Sequence, residues 1–148
     1  MPVIVIGADT RLGMAIVERL LDPDREIRAF VSDPAAAEQL RSMGAKTALG
    51  DVSDFSHVSA ACTGVFTAVL LGEAARDLRE RAFAGDEAAI VEGWAGAVIE
   101  AGARRIIWVG VPDPPATPKA EAAGVSAHLE SQEVAERVAL LDDVDQLR

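Results

Sequence analysis

Short runs of nearly unbroken apolar residues constrain this chain more than any other feature. Residues 3–6 read Val-Ile-Val-Ile, residues 65–71 are almost as apolar, and residues 104–109 form a fifth run that ends in Ile-Ile-Trp-Val. A strand with one wet face alternates, so a run apolar at every position is buried on both faces, as in a parallel sheet covered by helices. Residues 26–31 and 46–49 supply two further strands. Helical patterns lie between the runs. Leu12, Ile16 and Leu20 recur every four residues and stop before Pro23. Asp33-Pro34 opens a helix that Gly44 closes, since Pro suits a first turn and Gly follows a last one. Asp54 or Ser56 caps a short turn carrying Val58 and Ala61. Asp86 caps a helix with Ile90, Val91, Trp94 and Val98 on its apolar face, stopped by Gly102. Five strands alternating with helices predict an α/β fold, a doubly wound parallel sheet in the order 3-2-1-4-5. Beyond a stiff loop holding Pro112, Pro114, Pro115 and Pro118, residues 118–141 read as a last helix, weakest at Gly124, with Val134, Val138 and Leu141 inward.

The totals narrow the function. A chain of 148 residues is one domain, and with half of them hydrophobic it is not disordered. A net charge of -10 makes nucleic acid and anionic membrane poor partners and leaves any nucleotide to be held by local donors. Cys62 is the one cysteine, so no internal disulfide forms. The opening residues lack a basic segment and their apolar run is too short for a signal peptide; a cytoplasmic location is expected.

Residues 7–13, Gly-Ala-Asp-Thr-Arg-Leu-Gly, follow a buried strand and open a helix. In that setting a glycine-rich loop is a candidate phosphate cradle. Gly7 permits a sharp turn, and Gly13 lets the helix pack tightly on the sheet. The first-turn N–H groups and the helix dipole then face a pyrophosphate. The same residues also fit a plain capped turn, with Asp9 or Thr10 as the cap.

On this loop the chain resembles the NAD(P)-binding Rossmann domain of atypical short-chain dehydrogenases, the NmrA-like and NAD(P)H-binding group, whose loop reads G-A-T-G-x-x-G. Residues 27–34, 50–54 and 103–110 resemble that group's second strand, the turn after its third, and its fifth strand, with a weaker echo at 128–138. The resemblance implies an NAD(P) cofactor over Gly7, Asp9, Thr10, Arg11, Leu12 and Gly13. Thr10 replaces the group's middle Gly, which lets the backbone approach the pyrophosphate, and Asp9 adds a carboxylate, so binding is expected to be weak. Ser32 stands where many relatives place an Arg for the 2′-phosphate of NADP. Asp33 either accepts from a ribose hydroxyl or caps the helix before Pro34. Arg11 either reaches a 2′-phosphate, as in several relatives, or is solvated. Asp51 and Val52 fall where the group contacts adenine, or are turn residues. Leu71 and Gly72 fall where it passes the nicotinamide ribose, or are ordinary strand-to-loop sequence.

Short-chain dehydrogenases use a Tyr-x-x-x-Lys pair for proton transfer, and this chain has no Tyr. The resemblance therefore leaves hydride transfer to a flavin, a quinone or another small acceptor, with water supplying the proton. The alternative is a non-catalytic redox-nucleotide sensor or scaffold. Relatives continue into a sixth strand and a substrate segment, whereas residues 142–148 read as a polar tail. A shallow pocket, or one completed in a homodimer through the Pro-rich loop and last helix, is expected, with strand five near an exposed edge. His57 and His128 are far apart and read as surface residues, and Cys62 reads as a small core residue. Arg76, Arg79 and Arg81, interleaved with Glu73, Asp77 and Glu80, read as a solvated helix face.

Overall fold

The computed structural model describes residues 1–77 and 82–144; Arg79, Glu80, Arg81 and the last four residues of the polar tail lie outside the described residues. The chain alternates strands and helices in the order β1 (Val3–Ile6), α1 (Arg11–Leu20), β2 (Ile27–Val31), α2 (Pro34–Met43), β3 (Lys46–Leu49), α3 (Phe55–Ala61), β4 (Thr67–Leu71), α4 (Gly72–Arg76), α5 (Glu87–Glu100), β5 (Arg105–Val109), β6 (Glu121–Val125) and α6 (Ser131–Asp143). All strand pairs are parallel, in the order β3-β2-β1-β4-β5-β6. The sequence-based order holds, with one strand added.

Every residue of β1, β4 and β5 is buried, which is why these strands carry no polar alternation. Helices α1 and α6 pack together, as do α3 and α5. Trp94 and Trp108 are the largest fully buried side chains, and Trp94 donates its indole N–H to the Val52 carbonyl at 2.8 Å. That bond ties the turn after β3 to α5.

The segment expected as one helix over 118–141 divides. Residues 121–125 pair with β5 and the helix begins only at Ser131. Ala and Glu favour a helix there by propensity, but the sheet offers an unpaired edge whose N–H and C=O groups need partners. Side chains fix the choice. Arg105 is 1% exposed on β5 and donates to the Glu121 carboxylate through Nε at 3.1 Å and Nη2 at 3.0 Å. Its Nη1 donates to the carbonyls of Leu141 at 3.0 Å and Asp142 at 2.8 Å. One buried guanidinium thus holds β6 and the end of α6 against β5. Strand five is therefore interior, and the edge expected there belongs to β6.

Candidate functional site

The strand order reverses between β1 and β4, so the crevice of the fold opens at the carboxyl ends of these strands. The loop over β1 is shaped by close approaches. A Cβ on Gly13 would lie 2.2 Å from the Gly7 carbonyl oxygen and 2.7 Å from the Ala8 Cα. Both are backbone atoms that cannot swing away, so only Gly lets α1 start this near the turn. Gly7 adopts φ 90, in the left-handed region open to Gly.

Thr10 caps α1. Its hydroxyl donates to the Gly7 carbonyl at 2.7 Å and accepts from the Gly13 N–H at 3.0 Å, and the residue is 5% exposed. The hydroxyl is therefore committed inside the loop. Among the described residues, the N–H groups of Arg11 and Leu12 make no hydrogen bond. These two amides at the positive end of a ten-residue helix are the donors that fit a pyrophosphate.

Asp9 turns toward β2 instead of standing over α1. Its Oδ2 accepts from the backbone N–H of Ser32 at 2.9 Å and of Asp33 at 3.1 Å. Asp33 caps α2 through a bond from the Ala35 N–H at 3.1 Å, with Pro34 in the first turn. The exposed Arg11 reaches across to α6, where its guanidinium donates to the Ser131 hydroxyl. Asp51 organises the next turn. Its Oδ1 accepts from the Ser53 N–H at 2.8 Å and hydroxyl at 2.7 Å, and its Oδ2 accepts from the Ala82 N–H at 2.8 Å. Val52 is buried.

Beyond β4 the rim is contiguous. Gly72 opens α4, and a Cβ on it would lie 2.5 Å from the Gly110 carbonyl oxygen. Leu71 beside it is fully buried. Arg76 donates to that same carbonyl at 2.8 Å and to Glu87 at 2.9 Å. From here a cleft of about 530 Å³ opens over the ends of β5 and β6, lined by Arg76, Gly110, Val111, Val125, Ala127 and His128 among others. The loop and this cleft thus occupy one edge of the sheet.

The structure places the candidate residues 7–13, 32–33, 51–52 and 71–72 at this edge. The sequence-based reading missed the cleft. Arg76 read as a solvated arginine, and His128 fell within a segment read as helix. The signal available was the Gly110-Val111 pair closing β5.

Cys62 is buried, and burial pushes its thiol up to about 12, which makes it a poor nucleophile. His57 packs edge-on against Phe30, 5.1 Å between ring centres. Among the described residues no cluster of three or more His, Cys, Asp or Glu side chains fits a metal ion, and no helix is long and apolar enough to cross a membrane.

Comparison with known proteins agrees with this geometry. The model of a family described as NAD(P)H-binding matches residues 7–140. No curated protein matches the chain in sequence. Among solved structures, triphenylmethane reductase of Citrobacter sp., complexed with NADP(H), is 21% identical with a TM-score of 0.61, over 74% of this chain and 37% of its own. ChuY of Escherichia coli O157:H7, an anaerobillin reductase, is 17% identical with a TM-score of 0.74, over 100% of this chain and 93% of its own. An NADPH-dependent quinone oxidoreductase of Escherichia coli, complexed with NADPH, is 20% identical with a TM-score of 0.60, over 96% of this chain and 46% of its own. The chain thus spans under half the length of two of these three proteins.

Proposed function

Because the chain belongs to the NAD(P)H-binding family, we propose that it is a reductase that takes hydride from a nicotinamide nucleotide to a small conjugated acceptor such as a flavin or quinone. The observation that carries this reading is the placement, on one sheet edge, of the two unbonded α1 amides and the 530 Å³ cleft beyond Gly110. Gly7, Thr10, Arg11, Leu12 and Gly13 form the pyrophosphate cradle in this reading. Asp9, Ser32 and Asp33 face the adenosine ribose, Asp51 and Val52 border the adenine, and Leu71 and Gly72 lead to the cleft. The bound nucleotide supplies the hydride. The chain's part is to orient it and to shape the acceptor's seat, whose walls of Val111, Val125 and Ala127 suit a flat apolar molecule. With no Tyr in the chain, the proton comes from solvent at the open cleft. The similarity in fold to dye, quinone and bilin reductases supports the acceptor class.

The test is to mix the protein with NADH or NADPH and a quinone or flavin panel and to follow the loss of nicotinamide absorbance. Turnover with any acceptor supports the proposal. Cofactor binding without turnover overturns it in favour of a non-catalytic nucleotide sensor, a reading favoured by one observation, the full commitment of the Thr10 hydroxyl to its cap. We extend the proposal to a homodimer through the Pro-rich loop and α6, whose Leu140 is 59% exposed. Sedimentation across a dilution series checks that part, and a monomer at all concentrations removes it.

A further inference from the structure

We infer that Asp9 is a specificity-determining residue that turns this site toward NADH and against NADPH; this rests on the nicotinamide-nucleotide reading of the loop. The two cofactors differ only by a phosphate on the adenosine ribose 2′-oxygen. In a doubly wound sheet that ribose lies at the carboxyl end of the second strand. Here the backbone donors at that point, the N–H groups of Ser32 and Asp33, both point at Asp9 Oδ2, at 2.9 and 3.1 Å.

Those amides are what a 2′-phosphate would take in the absence of a basic side chain at the strand end. In this chain a carboxylate, itself an anion, already takes them. The first residue after the strand is Ser32, which carries no charge, and the next, Asp33, adds a second carboxylate. Arg11, the nearest cation in the loop sequence, is drawn away to Ser131 on α6. A carboxylate at this position accepts from ribose hydroxyls, but it repels a dianionic phosphate over the few ångströms that separate them. Asp9 reaches the spot from the glycine-rich loop, the opposite side from the strand end itself. It is held there by two charge-assisted bonds, so the discriminating charge is fixed in place before any ligand arrives.

The test is calorimetric titration of the intact chain with NADH and NADPH, for the natural protein and for Asp9→Asn. The natural protein is expected to bind NADH at least about tenfold tighter, the discrimination expected of one partly screened like-charge contact. Asn retains an acceptor oxygen for the two amides and removes the charge, so the ratio should fall toward one, mainly by tighter NADPH. A second measurement needs no variant. Raising ionic strength from about 0.01 to about 1 M shortens the Debye length from roughly 30 to 3 Å and should narrow the ratio in the natural protein. Equal or tighter NADPH binding by the natural protein overturns the inference. So does a ratio that neither Asp9→Asn nor salt changes. Failure of the natural protein to bind either nucleotide overturns the proposed function itself, and this inference falls with it.

Discussion

The two halves of the sheet's carboxyl edge are built by opposite means. Over β1, β2 and β3 the polar side chains are spent on the backbone: Thr10 on the loop, Asp9 on the end of β2, Asp33 on α2, Asp51 on the turn after β3. What this half offers a ligand is main-chain N–H and fixed negative charge. Over β4, β5 and β6 the backbone is brought close by small residues, and side chains such as Val111, Arg76 and His128 line an open cleft. One half recognises by preset donors and charge, the other by shape. A site that must hold a constant cofactor and admit a variable acceptor is served by that division, because preset donors cost little to order whereas a cleft wall changes without disturbing the loop.

The largest effect should come from filling the space under the loop. Gly13→Ala places a methyl 2.2 Å from the Gly7 carbonyl oxygen. Since backbone must shift, a loss of about 3 kcal/mol in stability is expected, at the upper end for overpacking. Nucleotide binding should be lost with it. Urea denaturation and calorimetry measure the two. A variant as stable as the natural protein would show that the loop is not close-packed and would remove the contrast between the halves.

The second half has its own keystone. Arg105→Met removes the donors that hold Glu121 and the Leu141 and Asp142 carbonyls. A loss of about 2 kcal/mol is expected, because Glu121 is 30% exposed and regains water while the carbonyls do so less well. Hydrogen exchange should show β6 and the end of α6 opening while the loop over β1 stays protected. Uniform loss of protection would mean that the two halves open as one unit.

How much of this was legible in the sequence follows the same line. The β1 half announced itself, because buried parallel strands must be continuous apolar runs and a tight strand-to-helix turn must carry glycine. The caps were legible too: Asp33, Asp54 and Asp86 each precede the helix they cap. Strand β6 was not. An edge strand buries one side, and here Ala122 and Gly124 are exposed, so Glu-Ala-Ala-Gly-Val carries no apolar run and favours a helix by composition. Its partner, Arg105, lies 16 residues earlier in an apolar strand, where nothing local shows that its charge is buried and waiting for Glu121. Asp9 was legible as an acid in the loop, but its direction was set by amides 23 and 24 residues away.

A smaller effect separates capping from binding. Thr10→Ala deletes the hydroxyl that joins Gly7 to Gly13 and should cost about 1 kcal/mol. Thr10→Gly should cost only a few tenths in stability relative to the natural cap, since Gly is tolerated at that position. If the side chain also crowds the pyrophosphate, Thr10→Gly tightens nucleotide binding while Thr10→Ala does not. Equal affinities in both variants would assign Thr10 to the cap alone.

The smallest effect is expected at the opposite edge of the sheet, and it tests whether position or charge governs the contrast. Glu26 precedes β2 and pairs with Lys46 at 2.6 Å and Arg28 at 2.9 Å. Hydrogen bonds from Lys46 and then Arg28 hold its carboxyl below the usual range. A lowered folded-state pKa stabilises the folded chain above the ordinary carboxylate pKa, and that contribution is lost as pH falls through the lowered value. Lys46 is 74% exposed and Glu26 keeps partial contact with solvent, so Glu26→Gln should cost under about 1 kcal/mol near neutral pH. The difference from the natural protein should vanish in acid, where Glu26 is protonated in both states. Nucleotide affinity should not move, although the substitution removes the same charge as Asp9→Asn, because Glu26 stands at the amino end of β2 and Asp9 at its carboxyl end. A shift in the NADH to NADPH ratio on Glu26→Gln would mean that net charge, and not a carboxylate held on two amides, sets the preference.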